Sequence, residues 1–422
     1  GLDLRTDPQP PGAGPMTNSG WGALAGLKVI DLTQMLAGPY CTMLLADQGA
    51  EVIKIEPVGG DPTRGFGPFR DDDKERHFGG YFQSTNRNKK SVAVNLKSPE
   101  GVDLLRQMVR TADVVVENFR AGVMDRLGVG YEVLAAENPR LVYAAIRGFG
   151  DPRTGASPYV DRPAFDVVAQ AMGGAMGITG PNATTPMKIG PGVGDIFPAT
   201  LAAFGIMAAV CHARQTGEGQ FVDVAMYDGI VAMSERIVFQ QSYTGRSPVP
   251  EGNQHPILCP FGVFSARDGQ VTVGCPRDSF WRELVTIIGK PELADDPRFV
   301  SNNSRLAHAA ETIAIVEDWT STRTKAEIAE ALDGLVPFGP VNTAADIMAD
   351  PHMAIREMLV EVEHPGAADP VTIAGTPVRM NRTPGGVFRR APLSGEDTDA
   401  QLRAAGLDAA TIADLRARGI VG

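Results

Sequence analysis

From Leu27 onward, short apolar runs rich in β-branched residues alternate with longer amphipathic stretches. Leu27–Thr33, Glu51–Glu56, Ser91–Leu96, Asp113–Glu117 and Leu141–Ile146 read as five strands. Gly38-Pro39 opens a helical segment through Met43, Leu44 and Leu45. Ser98 and Pro99 start a second helix, Glu100–Thr111, with Ser as cap and Pro in the first turn. Apolar strands alternating with helices imply a parallel sheet covered on both faces. Ile196 to Thr244 reads as helical, interrupted near Gln215–Gly219. The pattern then changes. Gly245–Pro260 is loop-like, and Gly262–Cys275 predicts a hairpin turning at Asp268-Gly269. Helices are predicted at Ser279–Ile288, Glu311–Thr320, Thr324–Leu335, Asp346–Leu359 and Thr398–Ile420. The expected organisation is a flexible extension over 1–20 and a discontinuous large α/β domain over 21–225 and 345–422. A smaller inserted α+β domain is expected over 226–344.

Composition narrows the function classes. Of 422 residues, 43% are hydrophobic and 21% charged, enough for an ordinary core. A net charge of −11 opposes general nucleic-acid binding, which needs a basic footprint. The four cysteines form no CxxC pair and no Cys/His cluster with zinc spacing, so no metal is called for. With no disulfide framework and no leader pattern, a cytoplasmic protein with reduced thiols is expected. No uncharged apolar run reaches 18 residues. The longest, Ile196–Cys211, reads as a buried core helix. Thr33–Gly38, after the first strand, lacks the GxGxxG fingerprint, so the layout is Rossmann-like without the sequence of a dinucleotide site. That disfavours a nicotinamide-dependent oxidoreductase.

The candidate chemistry centres on Asp195. Gly190, Gly192 and Gly194 precede or adjoin it, and an apolar helix follows. Asp195 is either the cap of that helix or a carboxylate nucleophile for an activated acyl group, with nearby glycine N–H groups holding the oxyanion. Asn86–Lys90 is a basic run in an acidic chain, readable as an attractor for an anionic ligand or as a solvated turn.

Several blocks then carry a family resemblance: Leu27–Pro39, Asp47–Pro57, Asn86–Ser91, Asp113–Arg120, Asn138–Tyr143, Gly194-Asp195, Phe338–Asn342 and Ala391–Glu396. Their order and spacing resemble the family III CoA-transferases, the group that contains formyl-CoA transferase, carnitine CoA-transferase and the α-methylacyl-CoA racemases. The resemblance implies that Asp195 is the nucleophile, forming an anhydride and then an aspartyl-CoA thioester. It implies coenzyme A and acyl-CoA as substrates, with no tightly bound cofactor. By position, Gln34, Met35, Leu36, Val94, Lys97, Asn118, Phe119 and Arg126 match CoA contacts. Some relatives carry Arg where this chain has Pro57, which makes Arg64 a candidate replacement for a phosphate contact. Glu251–His255 sits where relatives carry a glycine loop over the active site. Only one glycine is present here, Gly252, with Asn253 and Gln254 beside it. Phe66 matches a pocket position that is Trp in the formyl-CoA enzymes, so oxalate and formate are not the default acids. A small dicarboxylate and a branched acid fit equally well. An interlocked homodimer is also implied.

Transfer and racemisation are separable in this sequence. The racemase branch needs bases on both faces of the α-carbon, one of them a histidine ahead of the Gly-Asp block. The aligned stretch is Arg162–Val167, and Phe165 stands at that position. Transfer is therefore favoured. Racemisation and a non-catalytic CoA-binding module remain as alternatives, the latter predicting binding without exchange.

Overall fold

The computed structural model describes residues 21–74, 76 and 78–422. The expected extension, 1–20, lies outside the described residues. Six strands form one parallel sheet: β1 (Lys28–Asp31), β2 (Glu51–Glu56), β3 (Lys89–Ala93), β4 (Val114–Glu117), β5 (Val142–Arg147) and β6 (Phe221–Ala225), in the order β3-β2-β1-β4-β5-β6. Val29, Ile30, Val52, Ile53, Val115 and Val116 are buried, as expected of strands covered on both faces. Ser98 caps the helix Pro99–Val109 by accepting the Gly101 N–H at 3.0 Å, as its position predicts.

The sheet order reverses direction between β1 and β4. In open parallel sheets, ligands bind beyond the carboxyl ends of the strands at such a switch point. Gln34–Leu36 leaves β1 there, and Asn118-Phe119 leaves β4.

Two features of the sheet depart from the sequence reading. The short strand β6 falls inside a stretch read as helical. It sits at a sheet edge and its residues are only partly buried, so it lacks the apolar run that marks the inner strands. Strand β3 starts two residues early because its charged residues are interior. Lys89 is fully buried and donates to Asp31 Oδ2 at 3.0 Å, Asn86 Oδ1 at 2.9 Å and the Pro39 carbonyl at 2.9 Å. The basic run is thus neither a ligand attractor nor a solvated turn. Arg87 pairs with Asp47 at 2.6 Å, and Lys90 with Glu51 at 2.5 Å.

The helix Val193–Thr216 is long and apolar enough by composition to cross a membrane. It packs on the helix Ala37–Asp47 and on β5 and β6, burying Ala199, Ala202, Ile206 and Ala209. Only one face is core: Phe204 and Cys211 on the same apolar run are exposed, so the helix is not the fully buried one its run predicts.

The chain divides into two compact units. The larger joins the described residues up to Gly173 with Gly190–Ser234 and Ala354–Gly422, and is discontinuous. The smaller joins Gly174–Ile189 with Glu235–Met353. It carries an antiparallel sheet of β7 (Phe261–Ala266), β8 (Gly269–Gly274) and β9 (Phe338–Pro340); the hairpin turns at Arg267-Asp268, one residue before the predicted Asp268-Gly269, because Gly269 already pairs with Ala266 as the first residue of β8. Helices close this sheet over a core that includes Phe264, Val271, Trp281, Leu284, Val316 and Trp319. The boundaries differ from 226–344. The helix Met226–Met233 stays with the larger unit because Gly229 packs on Pro198, where a Cβ would meet Pro198 Cγ at 2.8 Å. Gly174–Ile189 joins the smaller unit, where the Gly252 N–H donates to the Gly180 carbonyl at 2.9 Å.

Arg64 is a structural residue rather than a free phosphate ligand. Its Nε and Nη2 reach the two oxygens of Glu56 at 2.8 and 2.5 Å, and its plane lies 3.9 Å from the Phe82 ring centroid. Both charges are buried. Arg64→Met is expected to leave Glu56 buried and unpaired and to lower stability by about 3–5 kcal/mol. Urea unfolding reads this directly. Unchanged stability with a raised KM for the thioester would return Arg64 to the ligand.

Candidate active site

Asp195 lies in the first turn of the helix Val193–Thr216, whose N-cap is Gly192. It is not the cap. The carboxylate that accepts a first-turn donor comes from another helix: Asp166 Oδ1 takes the Gly194 N–H at 2.7 Å. Gln170 Nε2 holds the same carboxylate at 2.9 and 3.0 Å. The neighbouring N–H groups of Val193, Asp195 and Ile196 are bonded to the Pro191 and Gly192 carbonyls. Of the expected glycine oxyanion donors, the Gly194 N–H is therefore already engaged. Gly194 is required for close approach, since a Cβ there would stand 2.4 Å from the Asp166 carbonyl oxygen.

Relieved of capping, the Asp195 carboxylate has no hydrogen-bond donor among the described residues. Burial, reinforced by the negative charge of Asp166, pushes its pKa up to about 7. A carboxylate with no compensating donors is a stronger nucleophile than a solvated one. The same field reaches Tyr81. Its burial, with the charges of Asp195, Asp61 and Asp166, pushes the phenol up to about 12 and keeps it a proton-bearing donor.

Asp195 lines a cavity of about 220 Å³ together with Gln34, Met35, Asn118, Phe119 and Phe165. Arg120, Arg147 and Arg162 also face it. The loops after β1 and β4 are tied by a reciprocal amide pair. The Gln34 N–H donates to Asn118 Oδ1 at 2.8 Å, and Asn118 Nδ2 donates to the Gln34 carbonyl at 2.7 Å. Behind them, Glu117 accepts the Phe119 N–H at 2.8 Å, and Arg147 Nε donates to the Phe119 carbonyl at 3.1 Å. Arg147 in turn pairs with Glu117 and Asp151.

The remaining expected residues fall in several places. Leu36 is adjacent to this site, its Cδ2 3.0 Å from where a Gly192 Cβ would stand. Lys97 and Arg126 are exposed and follow the carboxyl ends of β3 and β4. Val94 is not on a surface: it is 2% exposed, belongs to the core and bridges Val421. Phe66 is exposed and meets Tyr81 edge-on, with ring centroids 5.9 Å apart. Gly252, Asn253 and Gln254 belong to the smaller unit and line a different cavity. Sequence reasoning missed Glu117, Arg147 and Tyr81. The one available signal was the carboxylate of Asp166 next to Phe165.

The chain matches the family model for CoA-transferase family III over residues 24–398. It is 49% identical over 393 residues to the succinyl-CoA:mesaconate CoA-transferase of Haloarcula marismortui, covering 92% of this chain and 98% of the relative. It is 40% identical over 379 residues to the succinate–glutarate CoA-transferase of Agrobacterium fabrum, covering 88% of this chain and 93% of the relative. Among solved structures, a CAIB/BAIF family protein from Brucella suis superposes with a TM-score of 0.81 at 36% identity, covering 91% of this chain and all of the other. The protein belongs to CoA-transferase family III and is a CoA-transferase.

The pH dependence follows from Asp195. A carboxylate must be ionised to attack, so kcat/KM is expected to rise with pH through an inflection near 7. Asp166→Asn keeps an oxygen for the Gly194 N–H but removes the adjacent charge, and is expected to shift the inflection to lower pH. A pH profile unmoved by that substitution would separate the inflection from this pair. The stability sign is opposite. An acid whose folded pKa is raised loses folded-state stability as pH climbs from about 4 to about 7. Asp195→Asn is therefore expected to raise Tm at pH 8 and leave it unchanged at pH 4.

Proposed function

We propose that this enzyme moves coenzyme A between an acyl-CoA thioester and a free carboxylic acid through a covalent intermediate on Asp195. The observation that carries this reading is the half-buried Asp195 carboxylate, without a hydrogen-bond donor among the described residues, in the cavity lined by the β1 and β4 loops. Asp195 attacks the thioester carbonyl, and the C–S bond breaks to give CoA thiolate and a mixed anhydride. The thiolate then attacks the aspartyl carbonyl, expelling the donor acid and leaving an aspartyl-CoA thioester. An acceptor carboxylate attacks that thioester, and the thiolate returns to the acceptor's carbonyl, regenerating Asp195. Every bond broken is re-formed, so no outside reductant or hydrolytic water is required.

Gln34, Met35, Asn118 and Phe119 hold the pantetheine end at the switch point, with Leu36 beside the nucleophile. Lys97 and Arg126 meet the phosphates. Phe165 supports transfer over racemisation, since its ring carries no proton to exchange. The dicarboxylic acids in the relatives' names favour a short dicarboxylic acid over a branched monocarboxylic one. The cytoplasm is the assigned compartment, on cysteine usage alone.

Intact-protein mass spectrometry after acyl-CoA and hydroxylamine is expected to show a hydroxamate on Asp195, absent from Asp195→Ala. An unlabelled wild type that still exchanges acyl groups would rule out the covalent route.

The working form is an interlocked homodimer. Support comes from apolar side chains left exposed on the chain, including Phe204 at 75%, Tyr243 at 89% and Ile355 at 77%. The dimer is expected to persist on dilution to nanomolar concentration, read by mass photometry. Monomers in rapid exchange would exclude the interlocked arrangement.

A further inference from the structure

The cavity that Asp195 lines lies wholly within the larger unit and carries three arginines, Arg120, Arg147 and Arg162. The steps proposed above use none of them. Arg147 is taken up by the protein itself: it pairs with Glu117 and Asp151 and donates to the Phe119 carbonyl at 3.1 Å. Arg120 and Arg162 have no carboxylate partner among the described residues.

Arg162 is also held in place. Its guanidinium lies over the Tyr159 ring, 4.4 Å from the centroid. Tyr159 meets the buried Phe149 edge-on, with ring centroids 5.5 Å apart. The Arg162 N–H donates to the Tyr159 carbonyl at 2.8 Å and closes the turn between them. Two residues on, Ala164 packs against the end of β5, where a Cβ on Gly148 would stand 2.3 Å from the Ala164 Cβ. Asp166 then accepts the Gly194 N–H, in the turn that carries Asp195. The segment from Arg162 to Asp166 is thus anchored at both ends, the second beside the nucleophile.

Charge decides what this cation serves. Asp195 must be ionised to attack, and Asp166 adds a negative charge close by. An acyl group that ends in a carboxylate brings a third. Like charges oppose that approach, and a cation on the same cavity wall offsets them. The CoA diphosphate is the competing anion, but the long pantetheine arm separates it from the thioester. A cavity of about 220 Å³ has no room for both ends of that molecule. A guanidinium stacked on a ring keeps the edge of its fork free, and that edge matches a carboxylate.

We infer that Arg162 recognises the far carboxylate of a short dicarboxylic acyl group bound at Asp195. The inference rests on the proposed transfer reaction and names the substrate group that the same cavity selects. Arg162 thereby discriminates succinyl from butyryl, which have the same carbon count and differ only at the far end.

The test measures kcat/KM for succinyl-CoA and butyryl-CoA, each with acetate as acceptor, in wild type, Arg162→Gln and Arg162→Lys. The readout is the ratio of the two values, in which any loss of folded enzyme cancels. Wild type is expected to favour succinyl-CoA. Arg162→Gln is expected to lower the ratio by about 10- to 100-fold. Arg162→Lys is expected to recover part of it. An unchanged ratio overturns the assignment: with both thioesters slowed alike, Arg162 serves the CoA part they share, and with neither slowed it serves no substrate. A wild-type ratio near one, with a hydroxamate still formed on Asp195, overturns the assignment and leaves the transfer reading standing. No turnover of either thioester and no hydroxamate on Asp195 remove both.

Discussion

The reciprocal hydrogen bonds between the Asn118 amide and the Gln34 main chain are the constraint on which the site depends. They join the loops after β1 and β4 at the place in the parallel sheet where the strand order reverses. The β1 loop does not hold its shape by local preference, since Met35 sits at φ 66°, a region that costs a residue with a side chain about 1–2 kcal/mol. Buried charge supplies what local preference lacks. Asp31 Oδ1 accepts the Thr33 N–H at 2.9 Å, and Lys54 donates to the Thr33 carbonyl at 2.7 Å. Burial alone would raise the Asp31 pKa, but Lys89 and Lys54 with the threonine hydroxyls hold it below the ordinary carboxylate value. The anion that fixes the loop therefore stays charged across the physiological range.

The two carboxylates around Gly194 divide the work that one aspartate at a helix start normally does. Asp166 takes the N–H group and the hydrogen bonds, and Asp195 is left with neither. This arrangement is unfavourable for folding, because Asp195 is charged above about pH 7 in a place that penalises charge. It is favourable for attack on a carbonyl, because few contacts must be broken before the carboxylate can react. The buried pairs elsewhere, Arg64 with Glu56 and Arg87 with Asp47, follow the opposite rule and are fully engaged.

Much of the sheet was legible because the inner strands are continuous apolar runs and the helix starts carry their caps, as Ser98 and Pro99 do. Asp195 was legible because its glycines and the following apolar run mark a helix mouth. What sequence could not give were pairings between distant residues. A lysine such as Lys89 reads as surface until Asp31, 58 positions away, is seen beside it. Val94 reads as an apolar contact until the C-terminal Val421 covers it. Arg64 reads as a spare cation until Glu56 claims it. Strand β6 failed for a different reason: an edge strand with one polar residue, Asp223, has no period that separates it from its helical flanks.

The distribution of charge partners bears on what the enzyme selects. Arg64, Arg87 and Arg305 each have their donors engaged by carboxylates or carbonyls. Arg236 departs from this: its buried Nη1 has no hydrogen-bond acceptor among the described residues, and the carboxylate of Glu251 stands 4.0 Å away. On the proposed reading, the sheet edge holds the part common to every substrate, coenzyme A, through Asn118, Phe119 and the β1 loop. The acid is the part that varies.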